Sequence, residues 1–183
     1  MIKKIITLST CLCLFMIMAV GQNLPIHEKS GKVAFIEVFD APNMTAAELF
    51  DVVKEWSKKQ SNWVLVSETA GSELKFAGKE LVYYKSPVGG SDQNGNVAYE
   101  FTIFTKEGRV RYVATNFVHT GNGKAPDAGK LENADPDCGR GKMVGSSWAK
   151  IKNKTKVHIE ELAIDLKKYI KAAQADPTKD DNW

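Results

Sequence analysis

Two runs of alternating apolar and polar residues lie between Val97 and His119 and meet at Lys106-Glu107-Gly108. Val97, Tyr99, Phe101 and Ile103 take every second position of the first run, and Val110, Tyr112, Ala114 and Val118 share one parity of the second. A period of two is that of a strand buried on one face, so the segment reads as a β-hairpin. A two-residue loop at Glu107-Gly108 puts glycine where a positive φ is needed and sets Ile103 against Tyr112, Phe101 against Ala114 and Tyr99 against Asn116. A four-residue loop keeps that parity; a three-residue loop sets Ile103 against Arg111 and loses the common apolar face. The hairpin thus has a core face and an opposite face bearing Ala98, Glu100, Thr102, Phe104, Arg111, Val113, Thr115 and Phe117.

The N-terminus is set apart from fold reasoning. Lys3 and Lys4 precede an apolar run from Ile5 to Val20, and Ala19-Val20-Gly21 offers small residues for a signal peptidase, so residues 1–21 read as a signal peptide. The run is too short for a bilayer-spanning helix of roughly 20 residues, and no second such stretch follows. Export to the periplasm or cell envelope is the expectation, with no transmembrane segment after cleavage. Cys11 and Cys13 leave with the signal, so the lone Cys138 has no partner for an internal disulfide. Cys138 reads as a loop thiol. Cleavage also changes 25 basic against 22 acidic residues to 23 against 22, a net charge of +1. Such a domain lacks an electrostatic footprint for nucleic acid.

Residues 22–31 read as a leader and 32–175 as one domain. Lys32 to Phe39 is rich in β-branched and aromatic residues, and its nearly continuous apolar run suits a central strand. Thr45 and Glu48 form a Thr-x-x-Glu capping box flanked by Met44 and Leu49 as a hydrophobic staple. Leu49, Val52, Val53 and Trp56 continue it as one buried helical stripe ending near Gln60, with Trp56 as core. Trp63 to Thr69 is a second strand, and Glu73 to Tyr84 a third in which Gly78 predicts a bulge or bend. Residues 86–96 read as a loop into the hairpin. Residues 120–145 form a long glycine-rich loop, functional or mobile. Ile159, Leu162, Leu166, Tyr169 and Ala173 keep helical period in a closing helix; Trp148 and Ile151 extend it to about Ser147, while alternating lysines at 150, 152, 154 and 156 leave a start near 155 open. Residues 176–183 read as a flexible tail. The order β-α-β-β-β-β-α with short turns predicts an α+β two-layer sandwich, an antiparallel sheet with both helices on one face.

This order, with the apolar first strand, the Thr45-capped helix ending in Trp56, the meander and the amphipathic closing helix behind a signal peptide, resembles an exported Bacteroidota family of unknown function described as having a fold like the TATA-box-binding protein. The resemblance covers about Lys32 to Ala173. It implies a curved sheet, no established activity and no functional residue to carry over. The TATA-box-binding saddle uses two tandem repeats and a basic concave sheet, whereas this chain has one unit and a small net charge, so nucleic acid is not an expected partner.

No reaction is spelled out. His27, His119 and His158 have no metal-binding spacing. Asn133, Asp135 and Asp137 match the start of a calcium loop, but Cys138 stands where glycine is needed and Val144 where the bidentate Glu is needed. Cys138-Gly139-Arg140-Gly141-Lys142 offers the parts of an anion-binding nest but no Walker motif. Glu160 and Glu161 sit among lysines on the closing helix, and Glu100, Arg111 and His119 in one hairpin are the only enzymatic hint. No cofactor, metal or catalytic residue is assigned. The expected binding surface is the open hairpin face, Glu100, Thr102, Phe104, Arg111, Val113 and Phe117, facing a protein, a small molecule or a second copy of the chain, unless the 120–145 loop covers it. The alternative is a carrier with an apolar cavity between sheet and closing helix, lined by Tyr99, Tyr112, Trp148 and Tyr169.

Overall fold

A computed structural model describes residues 24–85, 92–123 and 125–175. Residues 1–21, read above as a signal peptide, most of the loop before the hairpin and residues 176–183 lie outside the described residues. The sheet contains β1 (Ile26–His27), β2 (Lys32–Asp40), β3 (Trp63–Thr69), β4 (Glu73–Lys85), β5 (Asp92–Lys106), β6 (Arg109–Gly121) and β7 (Gly129–Lys130), with α1 (Ala46–Ser57) and α2 (Gly145–Gln174) as the helices. Every ladder is antiparallel and the order is β1-β2-β6-β5-β4-β3, with β7 also on β6. The architecture is the expected α+β sandwich, with two-residue strands β1 and β7 added.

Both helices pack on one face. Trp56 of α1 lies against Trp63 and Phe101, with ring centroids at 5.3 and 6.5 Å, and His158 of α2 meets the Tyr99 hydroxyl at 2.8 Å. Phe101 and Ile103 of β5, Val110, Tyr112 and Ala114 of β6, and Leu74, Phe76, Val82 and Tyr84 of β4 are buried beneath them. The capping box forms: Thr45 Oγ1 accepts from Glu48 N–H, and Glu48 Oε2 accepts from Thr45 N–H at 2.8 Å. Trp56 is fully buried, as its spacing requires, and its indole N–H donates to Asp165 at 2.7 Å, tying α1 to α2.

The structure settles the closing helix as one element of 30 residues, about 45 Å long at 1.5 Å per residue. Its buried stripe runs through Trp148, Ile151, Thr155, Ile159, Leu162, Leu166 and Ile170, and the alternating lysines flank it. Lys152 Nζ lies 5.1 Å from the Trp148 ring centroid and Lys154 Nζ 5.6 Å from that of Tyr83, so the ammonium groups sit over aromatic faces as cation–π contacts.

Three local expectations are corrected. β2 is not central: among the described residues its outer edge is met by the two-residue β1 at Val33 and Lys32 and by the Pro25 carbonyl, which accepts from Ala34 N–H. Ile36 and Val38 stay 47% and 55% exposed because they point to the face that neither helix covers, whereas Val33 and Phe35 of the same strand are buried. β4 runs through Gly78 in unbroken register. The glycine serves close approach instead, since a Cβ there would stand 2.4 Å from the Tyr99 ring. The third-strand irregularity sits in β3, between Leu65 and Ser67. β5 starts at Asp92, so Asp92 to Asn96 are strand rather than loop.

Candidate functional site: the open face of the sheet

The hairpin register is the one a two-residue loop predicts near the turn: Ile103 faces Tyr112 and Phe101 faces Ala114. Gly108 takes φ 65°, the conformation that called for glycine. The register then slips. Ala98 pairs with Val118 and Glu100 with Thr115, so Tyr99 stands opposite two residues, Asn116 and Phe117, rather than Asn116 alone. Asn116 is a bulge residue at φ 58°, a left-handed conformation that Asn tolerates better than most side chains.

One extra residue reverses every later side chain on β6. Phe117 therefore leaves the open face and is fully buried, packed against Phe35 at 5.6 Å and Tyr99 at 5.7 Å. It cannot be a surface binding residue. His119 follows it inward, with no exposure, its ring against Tyr84 and Trp148 and neither nitrogen hydrogen-bonded by protein. Burial pushes its pKa down. Glu100 and Arg111 lie on the opposite face, so the Glu100–Arg111–His119 combination does not assemble.

Glu100, Thr102, Phe104, Arg111 and Val113 do share the open face. Cross-strand pairing arranges it in rows: Val38–Arg111–Phe104–Glu73–Thr69, then Ile36–Val113–Thr102–Lys75–Ser67, then Ala34–Thr115–Glu100–Ala77–Val64. The first row holds a stack, the Arg111 guanidinium 4.4 Å from the Phe104 ring centroid. The third holds a polar chain in which Lys32 donates to Asn116 Oδ1 at 2.8 Å, Asn116 Nδ2 donates to Glu100 at 2.9 Å and Lys75 pairs with Glu100 at 2.9 Å. The hydrogen bond from Lys75, with a smaller one from Asn116, holds the Glu100 carboxyl below the usual range against the opposing effect of burial. Glu100 is therefore a fixed anion within a surface network.

The described part of the 120–145 loop does not lie over this face. Gly129 and Lys130 pair with His119 and Val118, at the end of β6 away from the turn, and Ala128 and Leu131 enter the core. The Asn133 carbonyl accepts from the Trp148 indole and from Lys152, clamping the loop to α2. In the Cys138–Lys142 segment the Gly141 N–H is spent on the Cys138 carbonyl at 2.8 Å, which removes a donor from the nest. Burial raises the Cys138 pKa, the opposite of what a nucleophile needs. Among the described residues no group of three or more His, Cys, Asp or Glu converges to hold a metal ion.

The four residues offered as a cavity lining are engaged elsewhere. Tyr99 accepts from Trp63 Nε1 and bonds His158, Tyr112 stacks on Phe101 at 5.2 Å, Trp148 bonds Asn133, and Tyr169 lies under Lys59. Residues that sequence reasoning left off the open face are Ile36 and Val38 of β2 and Lys106 and Arg109 beside the turn. Ile36 and Val38 share one strand parity, but only the strand order places them next to Arg111 and Val113.

A family model described as a domain of unknown function (DUF4468) with TBP-like fold matches residues 35–120. The DUF4468 match runs from β2 to the end of β6, so it contains the whole hairpin and most of the open face, and it stops short of α2. Among solved structures, a DUF4468 family protein from Bacteroides ovatus is similar with a TM-score of 0.62 and 20% identity, covering 86% of this chain and 95% of that one. A TBP-like protein from Parabacteroides distasonis is similar with a TM-score of 0.62 and 17% identity, covering 81% of this chain and 97% of that one. No curated protein matches.

Proposed function

We propose that this protein is an exported, non-enzymatic binding module of the cell envelope that recognises its partner through the open face of the sheet. One observation carries the reading: Ile36 and Val38 remain about half exposed beside the Arg111–Phe104 stack, on a face that neither helix nor the described loop covers. Exposed apolar groups clustered beside oriented cations are a recognition surface rather than a random scatter. Export is supported by Lys3, Lys4 and the apolar run to Val20. Nucleic acid is not the proposed partner, because the charge left after cleavage is nearly balanced.

Photo-crosslinking in intact cells tests this. A photoreactive residue at Val113 or Ile36 is expected to give a discrete adduct, and one at Lys168 on the exposed side of α2 is not. Equal labelling from both faces, or none from the sheet, would overturn the reading.

A further inference from the structure

Where the open face reaches the hairpin turn, Val38, Phe104, Lys106, Arg109 and Arg111 line a pocket of about 240 Å³. The volume is on the scale of one small charged group with a short apolar body, below the roughly 300 Å³ at which drug-sized sites begin. Three of its six lining residues, which include Val110, are cations. Lys106 and Arg109 are direct cross-strand partners, and Arg109 is two residues from Arg111 on the same strand face. Like charges directly opposite on a sheet destabilise it unless something negative lies between them.

Among the described residues no acidic side chain supplies such a charge by an ion pair. Asp40 is the cross-strand partner of Arg109 on its other side, and Glu107 sits in the turn. Among the described residues, however, no ion pair joins either acid to Lys106, Arg109 or Arg111. Arg111 is meanwhile oriented by its stack on Phe104. A guanidinium held over a ring keeps N–H groups available to other partners, and those donors can grip two oxygens of one carboxylate or phosphate. Val38, 55% exposed, provides an apolar wall beside it.

We propose that this pocket binds a carboxylate or phosphate group carried on an aromatic or aliphatic body. Arg109, Arg111 and Lys106 hold the anionic oxygens, and Val38 with the free edge of Phe104 receives the body. The proposal rests on the open-face reading, since the pocket is one end of that face, and it names the chemistry the face selects. Its test needs no cellular partner, so the two can fail separately.

The purified protein, isotope-labelled for amide NMR, is titrated with phenyl phosphate, benzoate, inorganic phosphate and neutral benzyl alcohol. Saturable shifts at Phe104, Arg109 and Arg111 are expected with phenyl phosphate and benzoate, weaker ones with phosphate and none with benzyl alcohol. Affinity should fall by about tenfold in Arg111→Ala and comparably in Arg109→Ala, a loss typical of one charge-assisted contact. Arg109 stands outside the Phe104 stack, so Arg109→Ala keeps the test valid even if Arg111→Ala perturbs the fold. Absence of saturable shifts at about 10 mM ligand, a range in which even a Kd of 1 mM would be evident, overturns the proposal. So does equal binding of the neutral alcohol, or binding indifferent to both substitutions. Crosslinking from Ile36 or Val113 would then still stand as the separate measure of the open face.

Discussion

Asn116, held at φ 58° between Lys32 and Glu100, decides which residues of β6 belong to the surface and which to the core. Gly78 matters for the opposite reason, by what it lacks. Its missing Cβ leaves room for the Tyr99 ring, which is fixed in turn by Trp63 and His158. Gly78→Ala should destabilise the fold by about 1–3 kcal/mol, the usual cost of forcing an atom into a packed site, as measured by urea unfolding. Glu80 is the other residue whose environment sets a measurable property. Burial raises its pKa from 4.5 to about 7, with Lys154 opposing and Glu161 reinforcing the rise. The folded state thus holds that proton more tightly than the unfolded chain does. The stability Glu80 contributes is full below pH 4.5 and is lost as pH rises through about 7. His119 and His158 have pKa values lowered by burial and give the reverse slope, losing stability as pH falls below 6.5. Wild-type stability alone mixes these trends. The difference between Glu80→Gln and wild type isolates one of them, and it should move in favour of the variant between pH 5 and pH 8 in paired denaturant titrations.

At the scale of elements, α1 is a helix whose start is written locally. Thr45 and Glu48 satisfy each other's backbone donors, so Thr45→Ala should cost about 1 kcal/mol in chemical denaturation, with the same fold retained. What α1 packs on is not local, because Trp56 reaches Asp165 across 109 positions of sequence. α2 shows why the lysine alternation was ambiguous. A run of Lys at every second position looks like a solvated extension, whereas in the helix those side chains spread around the buried stripe and two of their ammonium groups lie over Trp148 and Tyr83. β3 presents Val64, Leu65 and Val66 at 67%, 48% and 56% exposure on an outer strand, interrupted by a bulge. Bulges on outer strands oppose edge-to-edge pairing, which fits an apolar edge that stays open.

Over the whole molecule, the sheet separates a core face from a face left to solvent, and the two should respond very differently to substitution. Ile36→Thr and Val38→Thr keep β-branched side chains at exposed positions and should change stability by no more than about 0.5 kcal/mol. Phe117→Ala, on the neighbouring strand of the same sheet, should cost about 3–5 kcal/mol because it empties a fully buried site. Thermal and chemical unfolding of the three variants would show the contrast, and comparable losses would mean that the two faces have been misassigned. Much of this was legible in the alternation of the hairpin, which placed Phe101, Ile103 and Tyr112 in the core and Phe104 and Arg111 outside. Phe117 was misplaced because alternation assumes an unbroken ladder. An asparagine in a strand looks the same whether it points to water or turns the chain.

By itself the sequence determined the elements whose energetics are local: the Gly108 turn, the Thr45 cap, the stripe through Trp56 and the apolar parity of β4 and β5. Each depends on residues within a few positions of one another, so pattern suffices. Tertiary structure alone decided that β2 lies beside β6 with its outer edge nearly bare, that the bulge at Asn116 sends Phe117 and His119 inward, and that Lys106, Arg109 and Arg111 gather around one pocket. Those outcomes depend on which strands pair and where the pairing slips, and such choices are settled by contacts between residues far apart in the chain.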